Sequence, residues 1–123
     1  MANPFDMYVV NSRDVKAYPL KGCQGVWVRY LLHAGVGARR IQLRLFTVEP
    51  GSSTPLERHE HEHEVYVLRG EGVLRGEGRE FRLRPGDAVF VASNELHQFV
   101  NTGAEPLEFL CTKETEELPE PLR

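Results

Sequence analysis

The chain has 123 residues, of which 41% are hydrophobic, and its formal net charge at pH 7 is −3. This length predicts one domain with enough apolar residues to bury a core. The slightly acidic balance excludes a strongly basic surface of the kind that binds nucleic acids. Between residues 69 and 84, arginines alternate with glutamates, which is typical of a solvated strand face whose charges pair with one another.

Short β-strands separated by glycine and proline account for most of the predicted elements. Residues 1–24 contain Pro4, Pro19 and Gly22 and predict an irregular arm with one short strand. The segments that follow are rich in branched and aromatic residues, which favour strands, and they cover residues 25–32, 41–50, 64–70, 73–76, 79–85, 88–91, 96–101 and 106–113. Residues 114–123 are charged and broken by proline, so we expect a frayed tail and no long amphipathic helix.

Neither a membrane segment nor an export signal is predicted. No apolar stretch is long enough to cross a bilayer, and the first ten residues, MANPFDMYVV, lack the charged and apolar regions of a signal peptide. Two cysteines, Cys23 and Cys111, are too few for a disulfide framework. We therefore expect a cytoplasmic protein with no nucleic-acid or membrane partner.

Many short strands at near-regular intervals indicate a β-sandwich or a β-barrel. Among all-β architectures, the double-sheet jelly roll is the one that holds a ligand or a metal ion inside an apolar barrel. We predict an all-β jelly-roll barrel over residues 25–113, between an N-terminal arm (1–24) and a charged C-terminal tail (114–123).

The segment of residues 51–70, GSSTPLERHEHEHEVYVLRG, carries three of the five histidines. Alternate side chains of an extended strand point the same way, which would align Glu57, His59, His61 and His63. Three imidazoles and a carboxylate are typical ligands of a divalent metal ion. The run could also be a solvated loop that binds metal weakly, but a second distinctive stretch, residues 86–101, contains His97. We expect the two stretches to fold together and share one ion.

These two stretches resemble the paired motifs of the cupin superfamily. The first motif, G-x(5)-H-x-H-x(3,4)-E-x(6)-G, is matched in spacing by Gly51, Glu57, His59, His63 and Gly70. The second, G-x(5)-P-x-G-x(2)-H-x(3)-N, is matched in spacing by Gly86, Ala92, Asn94, His97 and Asn101. The motif's first histidine and its glutamate are exchanged here, so three imidazoles and one carboxylate remain. Asn94 replaces a glycine, and asparagine tolerates the left-handed conformation that such a turn favours.

The resemblance to small single-domain prokaryotic cupins implies a double-stranded β-helix barrel with one divalent transition metal ion per chain. A manganese-type site is implied first, with iron, nickel, cobalt or zinc as alternatives. The implied ligands are Glu57, His59, His63 and His97, with His63 joining by a turn around residues 60–62. His61 or Glu64 could replace His63 or Glu57, although the spacing to Gly70 favours the first set. Because a bound imidazole must be neutral, we expect metal affinity to fall as pH drops through about 7 to 6.

Several further side chains could line a pocket beside this ion, each with a plainer alternative. His61 could sit beside the ligands or at the pocket mouth, or face solvent. Arg44 could point inward and hold an anionic substrate, or point outward from its strand. Cys111 could face the cavity or be a buried, inert thiol. The aromatic candidates, which could equally belong to the core, are Tyr66, Phe99 and Phe109.

Three functions follow from the resemblance. The first is a metal-dependent oxidoreductase, dioxygenase-like, acting on a small organic molecule. The second is a metal-dependent isomerase or lyase that acts on a sugar or a keto acid, and the third is a non-enzymatic small-molecule binding or sensor module. Cupins of this size often pair through their sheets, so we also expect a homodimer that uses the apolar strand around Trp27.

Overall fold

The structure is a computed structural model that describes residues 6–116. The first five residues of the predicted arm and residues 117–123 of the predicted tail lie outside this range. Two short 3-10 helices, Ser12–Asp14 and Ala34–Val36, occur in the described part, and neither is long or apolar enough to cross a bilayer. The strands are β1 (Tyr18–Pro19), β2 (Val26–Leu32), β3 (Ile41–Val48), β4 (His63–Arg69), β5 (Gly72–Arg75), β6 (Glu80–Leu83), β7 (Ala88–Val91), β8 (Gln98–Asn101) and β9 (Leu107–Glu114).

The strands form two facing sheets. The larger sheet has the order β1-β2-β3-β9-β4-β7 and the smaller one the order β6-β5-β8, and the pairs between neighbouring strands are antiparallel. Residues 53–57 extend the smaller sheet through two isolated bridges, Ser53 to Val100 and Glu57 to His97. This double-sheet arrangement confirms the predicted all-β jelly-roll barrel.

Strands β4 and β9 bury alternate side chains, because successive residues of a strand point to opposite faces. In β9, Leu107, Phe109, Cys111 and Lys113 are buried while their neighbours are partly or fully exposed. Apolar side chains from both sheets fill the interior, including Val26, Val48, Val67, Leu74, Phe99 and Phe109. Polar residues are buried chiefly near one end of the barrel, where the histidines lie.

Part of the predicted arm belongs to the barrel. Strand β1 pairs with β2, and Tyr18, Leu20 and Cys23 pack against the core. At the other end, β9 continues to Glu114, one residue past the predicted boundary. The division into arm, barrel and tail stays a prediction, because the outer residues are not described.

Two motif positions require an unusual backbone. Gly70 directly follows β4 and has a φ of +81°. A Cβ atom at this position would lie 2.3 Å from the carbonyl oxygen of Pro106, so a larger residue would require a shift of the chain. Asn94 is the non-glycine residue with a positive φ, at 62°, in the described part. The structure therefore confirms that Asn94 adopts the left-handed conformation that the sequence predicted.

Candidate metal centre

Three separate backbone segments bring the histidines together. Glu57 and His97 exchange two backbone hydrogen bonds, from Glu57 N–H to His97 O at 3.1 Å and from His97 N–H to Glu57 O at 3.0 Å. The amide of Asn94 donates to the carbonyl oxygen of His59 at 2.7 Å, which ties the histidine run to the turn before β8. His63 is the first residue of β4 and pairs with Val91 of β7.

The histidine run is not one extended strand. Between Glu57 and His63 the chain leaves the sheet and bends at residues 60 and 61, as the turn predicted around residues 60–62 requires. The bend places the His61 ring against the His59 ring, with centroids 3.9 Å apart and an interplanar angle of 12°. His61 therefore stacks on His59 next to the other histidines.

The rings of His59, His63 and His97 converge on one point. One nitrogen from each ring lies within 4.8 Å of the others, and His63 and His97 are only 6% exposed. The Nε2 atoms of His59 and His63 are 3.2 Å apart. Oxygen Oε1 of Glu57 lies 3.5 Å from His59 Nε2, so a carboxylate stands beside the three imidazoles.

The hydrogen bonds of the Nδ1 atoms determine which ring nitrogen is free to bind an ion. His97 Nδ1 lies 2.8 Å from the carbonyl oxygen of Glu95, and His59 Nδ1 lies 3.4 Å from that of His61. Because a carbonyl oxygen only accepts, both Nδ1 atoms carry the hydrogen, which leaves a lone pair on each Nε2 for an ion. His63 Nδ1 lies 3.1 Å from Cys111 Sγ, which can accept in the same way.

These donors fit a divalent transition metal. Two nitrogen ligands at about 2.1 Å from one ion, seen at a right angle, lie about 3.0 Å apart, close to the 3.2 Å between the two Nε2 atoms. Imidazoles oriented by carbonyl acceptors, together with one carboxylate, form the mixed nitrogen and oxygen set that such ions prefer.

Comparison with known families decides where this chain belongs. The family model for the cupin domain (Cupin_2) matches residues 44–113, more than half of the chain. The chain belongs to the cupin domain family.

Three similar proteins place this cupin among its relatives. The oxalate-binding protein of Thermotoga maritima is 45% identical over 72 residues, which are 55% of this chain and 60% of that protein. The polyketide cyclase RemF from Streptomyces resistomycificus has a TM-score of 0.85 at 36% identity, over 93% of this chain and 83% of that one. A predicted oxalate decarboxylase from Thermotoga maritima has a TM-score of 0.78 at 30% identity, over 89% of this chain and 100% of that one. The match to the oxalate-binding protein thus spans less than two thirds of that protein's length.

The histidines of this cupin open onto a pocket of about 160 Å³. Among the side chains predicted to lie near the ion, the structure places most on its walls, namely His61, Arg44, Phe99, Phe109 and Cys111. The two phenylalanines also belong to the core, so the pocket floor and the core are one packed layer.

The assignment of Tyr66 to the pocket is wrong. Tyr66 does not line the pocket; it is 48% exposed on the outer face of β4. The cause is the register of β4, which buries His63, Val65 and Val67 and turns the residues between them outward. Glu64, the alternative to Glu57, is turned outward for the same reason.

The sequence reasoning missed Lys113, which is 8% exposed and lines the pocket. Its side chain pairs with Glu116 at 2.6 Å. The signal was the alternation of β9, which buries Lys113 on the same face as Cys111 and Phe109. Lys113 was given no role from the sequence, and the register shows that it points inward.

A second, larger cleft of about 680 Å³ lies between the edge strands β6 and β7 of this cupin. Its wall includes Phe81 and Phe90, which are 49% and 57% exposed, and His97 lines both this cleft and the smaller pocket. The sequence did not predict this cleft, because it arises where edge strands of two different sheets come together.

Burial and positive charge keep two histidines of this cupin neutral. Burial, followed by the charge of Arg44, lowers the pKa of His63 to about 3. Burial, followed by the charge of Lys113, lowers the pKa of His61 to about 4. Protons therefore compete with a metal ion for His63 only below the range of pH 7 to 6, in which an ordinary histidine becomes protonated. Burial also raises the pKa of the Cys111 thiol, against the influence of Arg44.

We expect the metal-free cupin to lose stability as pH falls. The unfolded chain binds protons at His61 and His63 near pH 6.5, whereas the folded chain does so only near about 4 and about 3. At pH values between the folded and unfolded pKa values, the unfolded state therefore binds more protons. The free energy of unfolding consequently decreases as the pH is lowered. Urea unfolding in a chelator at about pH 7.5 and about pH 5.5 measures this change. His63→Gln should show a smaller difference, and equal differences in the variant and the wild type would contradict the role of His63.

Proposed function

We propose that this cupin is a metal-dependent oxidoreductase, dioxygenase-like, that acts on a small organic molecule. The observation that carries the proposal is the convergence of three imidazoles at one pocket, with Glu57 beside them. The ligands would be Nε2 of His59, His63 and His97 and one oxygen of Glu57. A bound manganese ion, with iron, nickel, cobalt or zinc as alternatives, would supply Lewis acidity and, for manganese or iron, redox chemistry.

The number of ligands supports this reaction class. Four protein donors leave two positions of an octahedral set open, which a tetrahedral zinc site would not. The pocket supplies the apolar walls that keep water from reactive species, because Phe46, Phe99 and Phe109 stack beneath it with centroid distances of 5.3 Å and 4.5 Å to Phe109. His61 forms part of the wall next to His59.

The pocket volume limits the substrate. About 160 Å³ corresponds to about five water molecules at about 30 Å³ each. An ion and a molecule of the size of oxalate would fill it. The oxalate-binding protein and the predicted oxalate decarboxylase among the relatives support a small, oxygen-rich substrate of this kind.

A second reaction class, a metal-dependent isomerase or lyase acting on a sugar or a keto acid, is favoured by one observation. The buried cation Arg44 lines the pocket beside the histidines, and within residues 6–116 no carboxylate lies at ion-pair distance from it. Fixed positive charge stabilises an oxyanion or an enolate that develops during a reaction without oxygen. The similarity to a polyketide cyclase supports a non-oxidative use of this barrel as well.

Oxygen consumption separates these two functions. The manganese- and iron-loaded protein would be tested in an oxygen electrode with oxalate, keto acids, catechols, β-diketones and thiols. Consumption that requires both metal and substrate is expected for the dioxygenase-like reaction, and His97→Ala treated with the same metal is the matched control. Substrate turnover without oxygen would replace the first function by the second. Binding without turnover under either condition would leave a binding module.

We also propose that the protein forms a homodimer in the cytoplasm. Trp27 in β2 is 38% exposed in the outer part of the larger sheet, where a second copy could cover it. Cys23 and Cys111 are free thiols, as a reducing compartment favours. Light scattering at micromolar concentration should give twice the chain mass of 14.0 kDa, and Trp27→Lys should lower it. A wild-type mass of one chain would refute the dimer.

A further inference from the structure

Arg44 is a buried cation with no anion beside it among residues 6–116. Its side chain is 9% exposed, and no carboxylate of this range lies at ion-pair distance from it. Its Nε–H has no hydrogen-bond partner among the same residues. An isolated charge taken out of water costs free energy unless an opposite charge or several acceptors replace the water. The described residues therefore supply this guanidinium with neither an anion nor an acceptor for its Nε–H.

The contacts that Arg44 does make hold it in place. One terminal nitrogen donates to Cys111 Sγ at 3.3 Å, and the guanidinium carbon lies 4.8 Å from the centroid of Phe46. Arg44 and Cys111 are direct register partners of β3 and β9, so the contact is built into the sheet. A sulfur atom and an aromatic face orient the planar group without neutralising it.

The other charges of the pocket do not supply the missing anion. Lys113 is neutralised by Glu116 at 2.6 Å, and Glu57 stands against His59 on the side of the metal site. Within residues 6–116, Arg44 thus contributes an unpartnered donor and surplus positive charge to the pocket wall, which a ligand rich in acceptors would satisfy.

We propose that Arg44 is the anion-binding residue of the pocket and that the ligand is a small dicarboxylate or keto acid, held by its carboxylate on the guanidinium. Arg44 and Cys111 line the same 160 Å³ pocket as the three histidines, and Cys111 Sγ links the two groups, at 3.3 Å from Arg44 and 3.1 Å from His63 Nδ1. The inference extends the proposed function. It rests on that function for the second contact, in which the other end of the ligand binds the metal ion. A guanidinium recognises a carboxylate by charge and by its fork of donors.

The test compares malonate with malonamide, its uncharged diamide, by calorimetry on wild-type protein, Arg44→Met and Arg69→Met. Arg69→Met is the matched control, since Arg69 is an exposed strand arginine that pairs with Glu108 outside the pocket. Wild type and the control should bind malonate, and Arg44→Met should bind it at least about tenfold more weakly. Metal content, measured on each sample, should be equal in all three.

A second measurement requires no folded variant at position 44. In the wild type, the Arg44 Nε–H resonance should shift on addition of malonate and stay unchanged with malonamide. Equal affinity of Arg44→Met and wild type for malonate, equal binding of malonamide and malonate, or an unmoved Nε–H resonance would each overturn the inference. Malonate binding through Arg44 in a protein that takes up no metal would instead refute the proposed function and leave the anion site standing.

Discussion

Replacing His97 or His59 with alanine is expected to lower the affinity for a divalent metal ion by at least about a hundredfold. Loss of a group that only supports a ligand typically costs about 10- to 100-fold in metal affinity, and these residues are proposed as ligands themselves. His97 matters most for the geometry, because it comes from the smaller sheet while His63 comes from the larger one. Elemental analysis after dialysis against a weak chelator measures the loss.

Two other histidines provide controls for this experiment. His33 precedes the 3-10 helix Ala34–Val36, where its Nδ1 accepts a hydrogen bond from Gly35 N–H at 3.0 Å, and it takes no part in the cluster. His61 stacks on His59 but does not belong to the group of converging nitrogens. His33→Ala should retain all of the metal and His61→Ala most of it. Full metal content in His59→Ala or His97→Ala would exclude that residue as a ligand.

The sequence predicted the fold because the barrel is built from local signals. Strand segments such as residues 25–32 and 106–113 combine β-branched and aromatic residues between glycines and prolines, and the observed strands β2 and β9 begin and end within a residue of them. The association of His97 with the histidine run was also predictable, since both motifs keep fixed spacings around turn residues such as Gly70 and Asn94.

The walls of the pocket were harder to predict because they depend on register between distant strands. A residue faces inward or outward according to its place in the pleat, and a shift of one residue reverses every side chain. Tyr66 was named as a pocket candidate, although His63 fixes the inward face of β4 and so turns Tyr66 outward. Lys113 was not considered, but its place in β9 puts it in the pocket with Cys111.

Removing the ring of Phe109 is expected to cause the largest loss of stability among single changes in the pocket. Phe109 is 2% exposed and stacks on Phe99 and Phe46 at centroid distances of 4.5 Å and 5.3 Å. Phe109→Ala should lower the free energy of unfolding by about 3–5 kcal/mol, because it combines lost burial with a cavity that the sheets on either side cannot close. Urea unfolding of the metal-free protein measures the change.

Phe90→Ala is the matched control, since Phe90 lies on β7 and is 57% exposed, and it should cost less than about 1 kcal/mol. A similar loss in both variants would contradict the placement of Phe109 in the core. Phe109 lies beneath the histidines and contributes no ligand atom, so the folded fraction of Phe109→Ala should still take up metal in wild-type stoichiometry. A metal ion binds only the folded state with its site assembled, and excess metal should therefore raise the unfolding midpoint of this variant. This result would show that the aromatic floor supports the barrel while the histidines above it bind the ion.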